Sequence, residues 1–244
     1  ISAGEDSVFE SCGDGEVTGD ETCDPEDTRN TTYWCNATCD ATPPPCHAEG
    51  KCPEPWIKMP SGQFRAGSQN VDISSFWILK QEIQYEDYLD CVNHSQCSPI
   101  NSMFCPSLTT GLPVTCITPQ QHEEFATWSG ASVPSGTYWK YAATNEGQDI
   151  YPWGSDSPGC MYTNTPNCVE STLRLSSSCQ YERGHNNLDV CDLVGNVQEL
   201  VKDREGNDAT IGGSYRLIYD PRDTIGYRGQ IGDDIGGRLI KVSP

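Results

Sequence analysis

Fourteen cysteines carry most of the chemistry open to this chain. They stand at Cys12, Cys23, Cys35, Cys39, Cys46, Cys52, Cys91, Cys97, Cys105, Cys116, Cys160, Cys168, Cys179 and Cys191. A structural zinc site calls for Cys-x-x-Cys pairs with histidine close by. The one tight pair is Cys35/Cys39, and histidine is sparse, at 47, 94, 122 and 185. That spacing argues against a zinc-thiolate reading. Close pairs at 46/52, 91/97, 105/116, 160/168 and 179/191 suit disulfides, whose connectivity the sequence leaves open. Thiols at this density persist as disulfides in an oxidising compartment, so the chain reads as secreted or surface-displayed. His122 and His185 read as ordinary surface or loop residues rather than general bases. No Gly-x-Ser-x-Gly elbow supports a hydrolase. Asp14, Asp20, Glu21 and Asp24 offer oxygen donors of the kind calcium takes, although acidic turn residues are more often simply solvated. Asn30, Asn36 and Asn93 open Asn-x-Ser/Thr sequons, acceptors for glycans in a host that glycosylates them.

Charge narrows the partners. With 15 basic and 35 acidic side chains, the formal net charge is −20. Phosphate-rich surfaces repel such a chain, which excludes nucleic acid and anionic membranes as partners. No run approaches the roughly 18–20 apolar residues of a membrane span. The first residue is Ile1 rather than Met, which reads as a chain whose leader has been removed.

The 244 residues suffice for one domain of roughly 180–200 residues and a small appendage. Residues 1–52 hold six cysteines and twelve acidic against two basic residues, with few large apolar side chains. Such a stretch cannot bury a core, so cross-links must hold it. TPPP at 42–45 is a stiff linker. From residue 53 onward the pattern changes to periodic elements. WIKMPSGQFRAGS at 56–68 reads as two short strands about a Ser61-Gly62 turn, and FWILKQEI at 76–83 as another strand. Tyr85, Tyr88, Leu89 and Val92 share one helical face. Thr118 is placed to cap a second helix, with Pro119 in its first turn and Gly130 at its end. A third short helix is expected over 135–144. Loop dominates to residue 187, tolerable in a compact domain only where disulfides or ions organise it. GGSYRLIYD, DTIGYRGQI and GGRLIKV alternate like strands.

These pieces, taken in order, resemble the formylglycine-generating enzyme (sulfatase-modifying factor) family. The carriers are PWIKMPSGQFRAGS at 55–68, FWILKQEIQYEDYLDCV at 76–92, LPVTCITPQQHEEFATWSG at 112–130, VPSGTYWKYAAT at 133–144, YPWG at 151–154, NNLDVCDLVGNVQEL at 186–200, IGGSY at 211–215 and IGGRLI at 235–240. The resemblance implies an α+β, C-type-lectin-like domain over 53–244, with short helices, small twisted sheets and long stapled loops. CGDGEVTGDETCD at 12–24 with CNATC at 35–39 resembles a short Cys-rich repeat of bacterial surface proteins.

The resemblance also implies a copper(I) site of two thiolates between the GGS-aromatic motif and the final Gly-Phe-Arg, since Cu(I) prefers soft sulfur. Here that window, Ser214 to Arg238, holds no Cys, His or Met. No residue inherits the role, and neither copper nor iron is expected. What the family pattern does carry over is a structural calcium turn at Asp192, Gly195, Val197 and Glu199, with Asn164 or Asp189 as candidates for a second site. Three positions depart from the pattern: Gln198 and Leu200 replace aromatics, and Gly237 replaces the Phe of Gly-Phe-Arg. These changes are expected to loosen an aromatic cluster or open a surface. The functional expectation is a non-enzymatic extracellular module that binds a protein or surface ligand, or copies of itself, with Trp34, Trp56 and Trp77 as contact candidates. The alternatives are a metal-dependent oxidase with a relocated centre and a receptor-binding protein diversified near Tyr215 to Gln230.

Overall fold

Brief runs of β-branched and aromatic residues, punctuated by Gly, Pro and Asn, produce, among the described residues, short strands around three α-helices. The computed structural model describes residues 34–35, 41–42, 52–101, 105, 108–166, 168, 174–218, 220, 225–226 and 231–242. In the N-terminal arm, β1 (Trp34–Cys35) pairs antiparallel with β2 (Ala41–Thr42). Cys12, Cys23, Cys39, Cys46, Asn30, Asn36 and the acidic turn at 14–24 lie outside the described residues, as do the side chains of Trp34 and Cys35.

The described residues of the domain form three further sheets. β11 (Ile240–Val242), β6 (Phe76–Leu79) and β3 (Trp56–Met59) form an antiparallel sheet with β6 in the middle. β4 (Gly62–Ala66) pairs with β5 (Gln69–Ile73). The third sheet runs β10 (Ile235–Gly236), β7 (Gln198–Lys202), β8 (Asp208–Ile211), β9 (Ile225–Gly226); β10 is parallel to β7 and the other pairings are antiparallel. The two strands expected about Ser61-Gly62 exist, but they do not pair with each other. β3 turns to β6 and β4 to β5, a strand that the polar sequence QNVDI conceals. GGSYRLIYD is likewise no strand: a turn closes between Ser214 and Leu217, whose N–H groups and carbonyls bond one another.

Helix α1 (Tyr85–Asn93) places Glu86 and Asp87 in its first turn, where they complement the positive helix end. Its Tyr88 and Cys91 are buried, and the Cys91–Cys97 disulfide ties down its C-terminus. Asn93, the third sequon, is exposed at that end. Helix α2 (Pro119–Trp128) begins with the expected Thr118 cap. Thr118 Oγ1 accepts from the Gln121 N–H, and Gln121 Oε1 accepts from the Thr118 N–H, forming a reciprocal capping box. Helix α3 (Gly136–Ala143) is capped by Ser135.

Two apolar clusters result. One packs Met59, Phe64, Phe76, Ile78, Trp139 and Tyr141 between the β4–β5 and β6 strands and α3. The other packs Ile83, Tyr88, Phe125, Trp128, Leu200 and Leu239 around α1 and α2. Each fully buried large side chain contributes about 1.5–3 kcal/mol. Four disulfides join the close cysteine pairs: 91–97, 105–116, 160–168 and 179–191. Cys52 is also disulfide-bonded, and no described cysteine is free. Among the described residues, no helix is long and apolar enough to cross a membrane.

Candidate functional site

Arg238 is the buried hub of the C-terminal region, with no solvent exposure. It follows β10, and its side chain reaches inward to β7. Its Nε donates to both Glu199 oxygens at 2.9 and 2.8 Å, and Nη2 donates to Glu199 Oε1 at 2.6 Å. Trp139 Nε1 of α3 donates to Glu199 Oε2 at 2.6 Å. The remaining guanidinium protons go to the carbonyls of Leu79, Lys80 and Cys191. One side chain thus joins the end of β6, β7 and the 188–196 turn. Burial alone would lower its pKa, yet the charge and hydrogen bonds of Glu199 raise it.

Two more carboxylates share this interior. Glu82 accepts from Ser178 Oγ at 2.6 Å and from Asn196 Nδ2 at 2.9 Å. Asp192 accepts from the Cys179 N–H. Burial, and then the charge of Asp192, hold Glu82 well above its ordinary value; burial also raises Asp192.

The four expected calcium positions lie along one turn, where Asp192, Gly195 and Asn196 adopt φ of 54°, 81° and 55°. Gly195 is required there, because a Cβ would come within 2.2 Å of Thr163 Oγ1 and 2.4 Å of the Asn164 carbonyl. Val197 is buried just ahead of β7. Glu199 is already engaged in this geometry. Both of its oxygens are hydrogen-bonded to a buried cation, which a divalent ion would have to displace. Asp189 is also engaged, pairing with Lys80 and His185, whereas Asn164 is buried with its Nδ2 donating to the Arg174 carbonyl.

The departures from the family pattern are filled rather than open. His122 is fully buried on α2, not a surface residue. Its ring occupies the space beside Gly237, where a Cβ would stand 2.5 Å from Cε1. Nε2–H donates to the Arg238 carbonyl at 3.1 Å, and desolvation lowers the ring's pKa to about 4. Gln198 is bonded to Asp234 and Thr210, and Ser214 Oγ donates to Asp234 at 2.7 Å. Arg216 pairs with Asp233 at 2.6 Å. The thiol-free window is thus cross-braced by polar pairs. Trp56 and Trp77 are half-buried, with Lys241 and Lys58 above their rings.

A second polar group lies on the other side of Cys191. His185 Nδ1 is 2.6 Å from Asp189 Oδ1, and Lys80 Nζ bonds the same carboxylate. These hydrogen bonds lower the Asp189 pKa. A ring nitrogen of His185 and the Sγ atoms of Cys179 and Cys191 all lie within 4.8 Å of one another. The spacing of the cysteines and histidines did not suggest this grouping, although His185-x-x-x-Asp189 was a visible cue. Separately, a surface cleft of about 800 Å³ opens between the β4–β5 hairpin, α3 and the β7–β8 turn, edged by Arg65, Lys140, Ile150, Arg204 and Glu205.

Several solved structures share the fold. CarF superposes with a TM-score of 0.63 at 17% identity, covering 79% of this chain and 99% of that one. PvdO from Pseudomonas aeruginosa gives 0.60 at 15%, covering 77% and 94%. Treponema denticola variable protein 1 gives 0.58 at 12%, also covering 77% and 94%. No curated protein matches the sequence. Residues 47–233 match the sulfatase-modifying factor enzyme 1-like domain, FGE-sulfatase. That match covers most of the chain and the fold agrees with it, so the chain belongs to the FGE-sulfatase family.

Proposed function

We propose that this chain is an extracellular, non-enzymatic module of the family that binds a protein or surface ligand or assembles with copies of itself. The observation that carries the reading is the window from Ser214 to Arg238, where the family's copper thiolates are expected and no Cys, His or Met occurs. Its described polar side chains brace one another instead, through Ser214–Asp234, Arg216–Asp233 and Arg238–Glu199. Copper(I) needs soft donors, and hydroxyl, carboxylate and guanidinium groups supply none. The disulfides support an oxidising location. The cleft beside α3 supports ligand binding: its lining mixes Arg65, Lys140 and Arg204 with Asp149, Asp203 and Glu205, which favours a polar ligand.

Purified protein supplied with copper, oxygen and a cysteine-bearing peptide is expected to consume no oxygen and leave the cysteine unchanged. Turnover would replace this reading with the oxidase alternative. Receptor-binding diversity is a separate reading, supported by the fold shared with a protein called variable. It requires sister sequences differing mainly over Tyr215 to Gln230, a segment largely outside the described residues.

A further inference from the structure

We infer that Cys179, Cys191 and His185 form a reductant-gated site for a borderline d10 cation, with Zn2+ as the case to test. The ring nitrogen and two sulfurs lie within 4.8 Å of one another. Among the described residues, no other three Cys, His, Asp or Glu side chains gather so closely. As the bridge stands, the sulfurs are bonded to each other and offer no thiolate.

The histidine carries the argument beyond an ordinary disulfide. Its Nδ1 is held by Asp189, and Lys80 fixes that carboxylate in turn. Nε2 is buried and has no hydrogen-bond partner among the described residues. A buried ring nitrogen without a partner carries an uncompensated desolvation cost, and a metal is one ligand that would satisfy it. A carboxylate that orients one ring nitrogen and leaves the other free is also the usual support of a histidine metal ligand. Two thiolates and one imidazole suit a tetrahedral zinc ion and leave the fourth position to water or an added ligand.

The chemistry balances with a dithiol as reductant. The partly exposed Cys179 sulfur is the accessible one, while Cys191 is buried. The dithiol attacks there and becomes a disulfide itself, delivering two electrons and two protons that yield the two thiols. Zinc then binds as both Sγ–H protons leave to solvent. The site does not depend on the ligand-binding function proposed above, since a held cation need not turn anything over.

The test uses the full chain under mild dithiol treatment. Differential alkylation with peptide mapping reports which bridges open, and circular dichroism reports whether the fold persists. Zinc is then titrated against a chromophoric chelator. The expected result is one zinc per folded chain once Cys179 and Cys191 are reduced. Asp189→Asn, which touches neither sulfur, should weaken zinc about 10–100-fold, and His185→Gln at least as much. Cobalt in place of zinc should show two-thiolate charge-transfer absorption that Cys179→Ser diminishes. Equal zinc affinity in wild type and His185→Gln would overturn the proposal. So would a bridge that opens only as the whole domain unfolds, or an opened bridge that takes up no zinc.

Discussion

Cys191 stands between two polar centres, one buried and one partly exposed, that differ in completeness. Its carbonyl accepts from Arg238, whose described donors all find oxygen atoms on β7, the end of β6 and the 188–196 turn. Its sulfur belongs to the Cys179–His185 group, where one ring nitrogen is left without a partner. A centre that satisfies itself holds the fold together and has nothing to offer a ligand. A centre with an unmatched donor or acceptor retains binding capacity. The first kind borders the window from Ser214 to Arg238, and the second joins the loop at Cys179 and His185 to the 186–200 segment.

The largest effect should come from opening the closed centre. Arg238→Ala strands Glu199 in the interior without its cation, and about 3–5 kcal/mol of stability should be lost, read as a lower denaturant midpoint at neutral pH. A loss below about 1 kcal/mol, the level of an exposed pair, would mean that the pair is not the hub described here.

A smaller, pH-dependent effect should arise at the edge of that centre. His122 is held neutral, with its pKa lowered from 6.5 to about 4. The unfolded chain therefore takes up the proton first as pH falls. The stabilisation is complete above pH 6.5 and is lost progressively down to pH 4, amounting to about 3 kcal/mol. Glu82 and Asp192, raised by burial, act in the opposite direction as pH rises. The difference between wild type and His122→Leu isolates the histidine, and that difference should itself vary with pH below 6.5. A constant offset would contradict the burial of an uncharged ring.

The smallest expected effect is none. EDTA should leave the melting temperature unchanged, because Glu199 is committed to Arg238. A calcium-dependent rise in melting temperature would mean that Glu199 releases the guanidinium for an ion, and would redraw the line between the two centres.

Local chemistry was the legible part of the sequence. Thr118, Pro119 and Gln121 announce α2, and the close cysteine pairs at 91/97, 105/116, 160/168 and 179/191 are joined. Pairings between distant segments were not legible. The Ser61-Gly62 turn suggests a hairpin, yet β3 finds its partner in β6 because Trp56 to Met59 bury against that strand and not against β4. Glu199 has the oxygen chemistry of a calcium ligand; only the fold reveals that a guanidinium 39 residues away reaches it first. His185 looks like a loop histidine until the 179–191 bridge brings both sulfurs to its ring.

The snug fit between Gly237 and His122 constrains the order in which this protein can change. A bulky residue at 237 collides with the imidazole unless position 122 shrinks first, and a shrunken 122 leaves a hole until 237 grows. Each single step is unfavourable and the double step is not, so these positions are epistatic, and a mutational path that samples one site at a time would be trapped in the present pair.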